Sequence, residues 1–319
     1  MKTKILLISA SCILVVIMCI VSFYAGSQYS RNQQLDASKN HPLLAKRIFI
    51  ENANDTLINF EPLRAELQKD LEFYDERVSL YFEYLPTGTS IRIGDKYQSV
   101  AASLLKVPAV MELYKLAEKG EVNLDKTVSL KEEWLDDQYG TLHRKGAGHK
   151  LTIKQLAKIT LEQSDNTALN GVQAIVTQHN LKPSENAFNA LDVEFNDTPT
   201  TELELNTRSY SSFLKCLYFA CYVSADSSQE IMTYLTRSTE GKTGRLGKYI
   251  PDDIKIAHKI GVAGENNQAA CGIVYLSSRH YVLCVMINET QERGSEIIAQ
   301  TSKLVYDYVK AAKPQPMNR

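Results

Sequence analysis

The chain has 319 residues, 44% of them hydrophobic and 23% charged, with a formal net charge of -1. Such values fit one enzyme-sized globular domain or two modest ones, and they exclude a disordered or fibrous chain. The near-neutral balance leaves no general electrostatic pull toward nucleic acid, so no nucleic-acid partner is expected.

From Ile5 to Gly26 the chain carries no charge, after Lys2 and Lys4, and this run is long enough to cross a bilayer as a helix. Ala25-Gly26-Ser27 is an acceptable signal-peptidase pattern, but the apolar core of a cleaved signal is only about 7–15 residues. Residues 1–26 are therefore expected to be a single-pass anchor, with a cleaved signal peptide as the competing reading. Neither Cys12 nor Cys19 follows a lipobox. Residues 27–44 are polar and unpatterned and read as a linker, 45–312 as the folded domain and 313–319 as a tail. Lys2 and Lys4 on one flank face Arg31, Lys39, Lys46 and Arg47, partly offset by Asp36, on the other, so charge does not fix the orientation.

Phe60, Leu63, Leu67 and Leu71 share one helical face behind Pro62, which predicts a helix near 61–74. Val78–Leu85 reads as a strand, Pro86-Thr87-Gly88 as a turn and Ser90–Ile93 as the antiparallel partner. Helices follow over Leu104–Lys119, stopped by Gly120, over Thr152–Leu161 and Thr167–Gln178, and from a cap at Asn206-Thr207 to about Tyr222. Ile254–His258, Ala270–Leu276 and Tyr281–Ile287 are three strands in succession, and a final helix covers about 293–311. Strands at both ends with helices between predict an α+β fold. One antiparallel sheet is formed by the N- and C-terminal strands and flanked by helices, with an all-helical subdomain inserted in the middle. The site is expected where sheet and insert meet.

Cys216, Cys221, Cys271 and Cys284 show no metal-type spacing and read as small buried hydrophobes, although Cys271 and Cys284 lie on strands that pair if the register allows a bridge. None of the six histidines forms a ligand-spaced pair, so neither metal nor cofactor is expected, and His258 reads as a strand residue.

Three short motifs carry the chemistry. Ser103-Leu104-Leu105-Lys106 sets a serine and a lysine one turn apart, where a desolvated lysine amine takes the serine proton. Ser164-Asp165-Asn166 lies between two helices, and Lys259-Ile260-Gly261 at the end of a predicted strand. Taken singly, Ser103 is a helix cap, Lys106 a solvated lysine, Asn166 a turn former and Lys259 a strand-edge charge. Each motif also has a decoy: Ser212-Phe213-Leu214-Lys215, Ser184-Glu185-Asn186 and Lys242-Thr243-Gly244. Order and context reject them, because Ser212 follows both candidate second motifs and Lys242 sits in a glycine-broken polar stretch where no strand fits.

The ordered set resembles the penicillin-recognising serine enzymes, and in particular the class A β-lactamase catalytic domain, over roughly residues 75–312. The resemblance implies a β-lactamase/transpeptidase-like fold. It implies that Ser103 attacks an amide carbonyl, that Lys106 accepts its proton, and that Ser164 relays a proton to the leaving nitrogen. Asn166 and Lys259 would bind substrate, Gly261 would complete the strand motif, and the backbone N–H groups of Ser103 and Val262 would form the oxyanion hole. Glu202, in Glu202-Leu203-Glu204-Leu205-Asn206, matches the family's deacylating glutamate, although Asn206-Thr207-Arg208 also reads as the next helix cap, which requires a shortened loop. Two departures weaken the match: Ile260 replaces a hydroxyl that binds the substrate carboxylate, and Cys271 stands where many relatives carry an arginine.

The expected function is a membrane-anchored, extracytoplasmic serine hydrolase whose substrate is a β-lactam or a related cell-wall amide. The alternatives are a D-alanyl-D-alanine carboxypeptidase-like enzyme acting on peptidoglycan stem peptides, and a catalytically degenerate wall-binding protein.

Overall fold

The computed structural model describes residues 15–29, 58–179, 185–193, 203–239 and 244–312. The chain divides into two compact units, 1–57 and 58–319. In the first, residues 15–29 form helix α1. Among the described residues no helix is long and apolar enough to cross a membrane; residues 5–14 of the expected span, the linker past residue 29 and the tail 313–319 lie outside them.

The second unit opens with α2 (Glu61–Leu71), which has Pro62 in its first turn, where a missing N–H costs nothing. A 3-10 segment then leads to the hairpin of β1 (Val78–Tyr84) and β2 (Thr89–Ile93), which pairs as expected. Next come β3 (Ser99–Val100), α3 (Lys106–Glu118), β4 (Thr127–Ser129), β5 (Lys150–Thr152), α4 (Ile153–Glu162), α5 (Asn166–Thr177) and α6 (Glu185–Ala190). The chain continues through β6 (Glu204–Leu205), α7 (Thr207–Tyr218), α8 (Ala225–Thr236), β7 (Ile256–Ala263), β8 (Asn267–Val274), β9 (Tyr281–Asn288) and α9 (Gln291–Ala311).

The main sheet is five-stranded with order β2-β1-β9-β8-β7, antiparallel throughout, so the two ends of the unit close it and the helices between form the insert. Its centre is apolar on both faces. On β9, Val282, Cys284 and Met286 face the helical insert, while Leu283, Val285 and Ile287 join α2 and α9, the alternation a pleated strand imposes. The sheet therefore lies between α2 and α9 on one side and the insert on the other.

Two expectations change. β7 runs to Ala263, so Lys259 lies mid-strand rather than at a strand end. The four cysteines of this unit are paired: Cys271 and Cys284 are direct partners across β8 and β9 and are bridged, and Cys216 is bridged to Cys221 at the end of α7. The first bridge uses the register that the sequence left open; the second was not expected. Helix α8 was also missed. Its Ser224 cap accepts from Ser227 N–H, but its first turn, Ala225-Asp226-Ser227-Ser228, has no apolar stripe.

Candidate active site

Ser103 sits in a tight entry to α3. From β3 the chain passes the buried Ala101, takes a left-handed residue at Ala102 (φ 45°), and enters a 3-10 turn over Ala102–Leu105 that continues as α3. The turn is tied by Leu104 N–H donating to Ala101 O at 2.9 Å and anchored by the fully buried Leu104 side chain. A non-glycine residue at positive φ costs on the order of 1–3 kcal/mol and persists where the surroundings over-determine it. Ser164 is the second such residue here, with φ 54°, so the backbone strain falls on both serines' turns.

Lys106 is 1% exposed. Its Nζ lies 3.1 Å from Ser103 Oγ, 3.2 Å from Ser164 Oγ and 2.8 Å from Asn166 Oδ1, and it also donates to Ser164 O. As an ammonium it has three hydrogens for four oxygens; as a neutral amine it keeps a lone pair that can receive the Ser103 proton. Residues from two separate chain segments thus form one buried hydrogen-bonded group.

The Ser164 loop is held by Asp165, which is fully buried. Its carboxylate caps α5 by accepting from Ala168 N–H at 2.9 Å, and accepts from Thr141 N–H at 2.7 Å and Leu142 N–H at 2.8 Å. Asp165 is therefore a clasp between α5 and the loop that wraps over it. Gly140 makes this possible: at φ 95°, a Cβ there would lie 2.1 Å from Asp165 Oδ2.

That loop brings in residues the sequence did not flag. Asp136 Oδ1 accepts from Asn166 Nδ2 at 3.2 Å, which orients the amide so that its oxygen meets Lys106. Tyr139 O accepts from Asn166 N–H at 3.0 Å, and the Tyr139 ring, 46% exposed, stands 5.8 Å from Lys106 Nζ. Only Gly140, after an exposed aromatic in an irregular stretch, hinted at a constrained turn.

The opposite wall is β7, an edge strand of the five-stranded sheet. Lys259 is fully buried, and Gly261, two residues on and so on the same face, packs against the Ser103 turn. A Cβ at Gly261 would lie 2.9 Å from Ala101 O and 3.1 Å from Leu104 Cγ, so glycine is what lets this strand approach Ser103. Val262 follows, 40% exposed at the strand's open end. Ile260 packs into the apolar cluster with α2 and α9 and offers no hydroxyl, and Cys271 is buried in its bridge. His258 is buried in the strand, with Nδ1 3.2 Å from Ile256 O.

Glu202 lies outside the described residues. The chain emerges directly after it pinned to the segment leading to Ser103: Leu203 O accepts from Ala101 N–H at 2.8 Å, and β6 pairs with β3, Leu205 opposite Ser99. Asn206 then caps α7, accepting from Ser209 N–H at 2.8 Å. Of the decoys, Lys215 is used elsewhere, in an ion pair with Glu83 at 2.8 Å, and Ser212 donates to Arg208 O at 3.5 Å. Asn186 reaches Glu112 at 3.5 Å, while Ser184, Lys242 and Thr243 lie outside the described residues.

Fold and site together define a serine hydrolase of the penicillin-recognising class. More narrowly, the chain belongs to the beta-lactamase enzyme family, whose model matches residues 62–309. It is 24% identical over 246 residues to a beta-lactamase of Bacteroides uniformis, covering 69% of this chain and 82% of that protein. Among solved structures it is similar to a mutant of PBP-A as an acyl-enzyme complex with penicillin G, with a TM-score of 0.70 at 22% identity, covering 78% of this chain and 96% of that one. A beta-lactamase from Chitinophaga pinensis gives a TM-score of 0.69 at 19% identity, covering 77% and 99%. These likenesses match the expected sheet closed by both chain ends with a helical insert.

Proposed function

We propose that Ser103 is the acylating nucleophile of a class A β-lactamase-like enzyme acting on β-lactams or related cell-wall amides. The observation that carries this reading is the buried Lys106 amine bonded at once to Ser103, Ser164 and Asn166. In the neutral form Lys106 takes the Ser103 proton as Oγ attacks the carbonyl. Charge builds on the carbonyl oxygen, where the N–H groups of Ser103 and Val262 would receive it; the start of a helix leaves its first N–H groups without helical acceptors and favours negative charge. Ser164, 3.2 Å from the same amine, passes the proton to the leaving nitrogen. Asn166 positions the substrate's amide carbonyl and Lys259 its carboxylate.

Release of the acyl group is assigned to Glu202, a reading supported by the attachment of Leu203 to Ala101, two residues before the nucleophile. The catalytically degenerate wall-binding reading is favoured by a specific observation: neither Ile260 nor Cys271 presents a carboxylate-binding group, which a β-lactam and the free end of a stem peptide both need. Intact-protein mass spectrometry after a penicillin pulse separates the readings. Rapid turnover in the wild type that becomes a stalled adduct in Glu202→Gln supports the β-lactamase. A long-lived adduct of equal lifetime in both supports a peptidase-like enzyme. An adduct no greater than that of Ser103→Ala points to a wall-binding protein without turnover.

We also infer that the domain works outside the cytoplasm, tethered by the Ile5–Gly26 segment. The two disulfides support this, since such bonds persist in oxidising compartments. A periplasmic or surface reporter fused after Arg319 should be active; an inactive one in an expressed fusion overturns the orientation.

A further inference from the structure

Asp136 stands out among the charged groups beside the reacting centre because a carboxylate is locked onto the amide that is to hold the substrate. Its backbone is clamped to the first turn of α5: Asp136 N–H donates to Thr167 Oγ1 at 2.9 Å, and the Thr167 hydroxyl donates back to Asp136 O at 3.1 Å. Thr167 is fully buried. The side chain is fixed in turn, with Oδ1 accepting from Asn166 Nδ2 at 3.2 Å and from Gln138 N–H at 2.9 Å. Asp136 is half-buried, and Asp137, next in sequence, is exposed. The cation of this stretch, Lys131, is engaged by Glu133 at 3.4 Å. Lys106 Nζ meets the far side of the Asn166 amide, at its oxygen.

The Asn166 amide nitrogen has two hydrogens. One is taken by Asp136; the other is the donor left for a substrate carbonyl. Two acceptors held by the two hydrogens of one NH2 group lie roughly 5 Å apart. A carbonyl oxygen bound by Asn166 therefore sits about that far from the Asp136 carboxylate, and a charged group on the neighbouring carbon, at most about 3.5 Å from that oxygen, stays within about a Debye length (~8 Å) of it. A negative group there is repelled and an ammonium is attracted.

We propose that Asp136 is a specificity-determining residue that selects substrates carrying an ammonium group next to the acylamino carbonyl. This rests on the acyl-enzyme reading above. It gives the acidic edge of the site a role in substrate choice that is separate from the positioning of Asn166.

Benzylpenicillin and ampicillin differ by one α-amino group on that carbon, so the ratio of their second-order acylation constants isolates the charge effect. The quantity to compare is this ratio in the wild type and in Asp136→Asn, which keeps an oxygen acceptor for Asn166 and removes the charge. The ampicillin-to-benzylpenicillin ratio should fall by about two- to fivefold in the variant, the size expected for a partly solvated charge pair. The wild-type ratio should also shrink as salt is raised, because screening acts on this pair while the carboxylate common to both drugs cancels. An unchanged ratio in Asp136→Asn overturns the proposal. If that variant does not fold, the wild-type salt series decides: a ratio independent of salt overturns the proposal as well. Absence of any Ser103 adduct with either drug instead sinks the acyl-enzyme reading, and the specificity claim falls with it.

Discussion

The two walls of the site differ in how much of the family pattern they keep. On the helical wall, Ser103, Lys106, Ser164 and Asn166 form a closed hydrogen-bonded group, held from behind by the Asp165 clasp. On the sheet wall, Lys259 and Gly261 are in place, but Ile260 turns into the core on the other face and Cys271 is tied to Cys284. The groups proposed to make and break bonds are brought together, while those proposed to grip a substrate carboxylate are reduced to one lysine. Chemistry and substrate anchoring are thus separable in this molecule, and each wall gives its own experimental signature.

The largest effect is expected on the helical wall. Lys106→Ala removes the proton acceptor and should slow acylation by at least about a thousandfold, read as the rate of adduct formation, with the fold intact by circular dichroism. Acylation within about tenfold of wild type would show that another group serves as the base. Gly140→Ala tests the clasp. Because the new Cβ would lie 2.1 Å from Asp165 Oδ2, that carboxylate must leave its three N–H partners, and we expect a loss of about 3 kcal/mol in chemical denaturation.

On the sheet wall, Lys259→Ala should reduce kcat/KM for carboxylate-bearing substrates by about 10- to 100-fold, the size of a lost charge-assisted hydrogen bond. It should change little for the methyl ester of the same compound. Equal losses for both would mean that Lys259 acts on the reacting centre rather than on the carboxylate.

A smaller effect comes from Glu112, buried on α3. Burial pushes its carboxyl above the usual range, opposed by donors from Tyr222, Ala187 and Asn186. A carboxyl whose folded pKa is raised contributes its stability below the ordinary value near 4.5 and loses it as pH rises through the folded value. Glu112→Gln should therefore match wild type at low pH and become more stable than it, by about 1 kcal/mol, toward neutrality. A gap that does not change with pH would contradict the assignment.

The sequence showed the helical wall better than the sheet wall, and both better than the loop between them. Ser103, Lys106, Ser164 and Asn166 could be read because chemistry fixes their types and their order along the chain. The clasped loop could not, since Asp136 and Tyr139 act through irregular backbone contacts that leave no periodicity. Lys259 is expected just past a strand over Ile254–His258; the structure carries that strand on to Ala263, with Gly261 passing close to the carbonyl of Ala101. The Cys216–Cys221 bridge depends on how the chain turns after α7, which residue spacing does not report.

The atom that becomes acylated distinguishes Ser103 from every other nucleophile of the chain. Proteolytic mapping of the penicillin adduct by mass spectrometry is expected to find the drug's mass on Ser103 alone, and to find it absent in Ser103→Ala. A lasting adduct on Ser212, the serine of the second Ser-x-x-Lys copy, or an adduct that persists at full yield without Ser103, would contradict it.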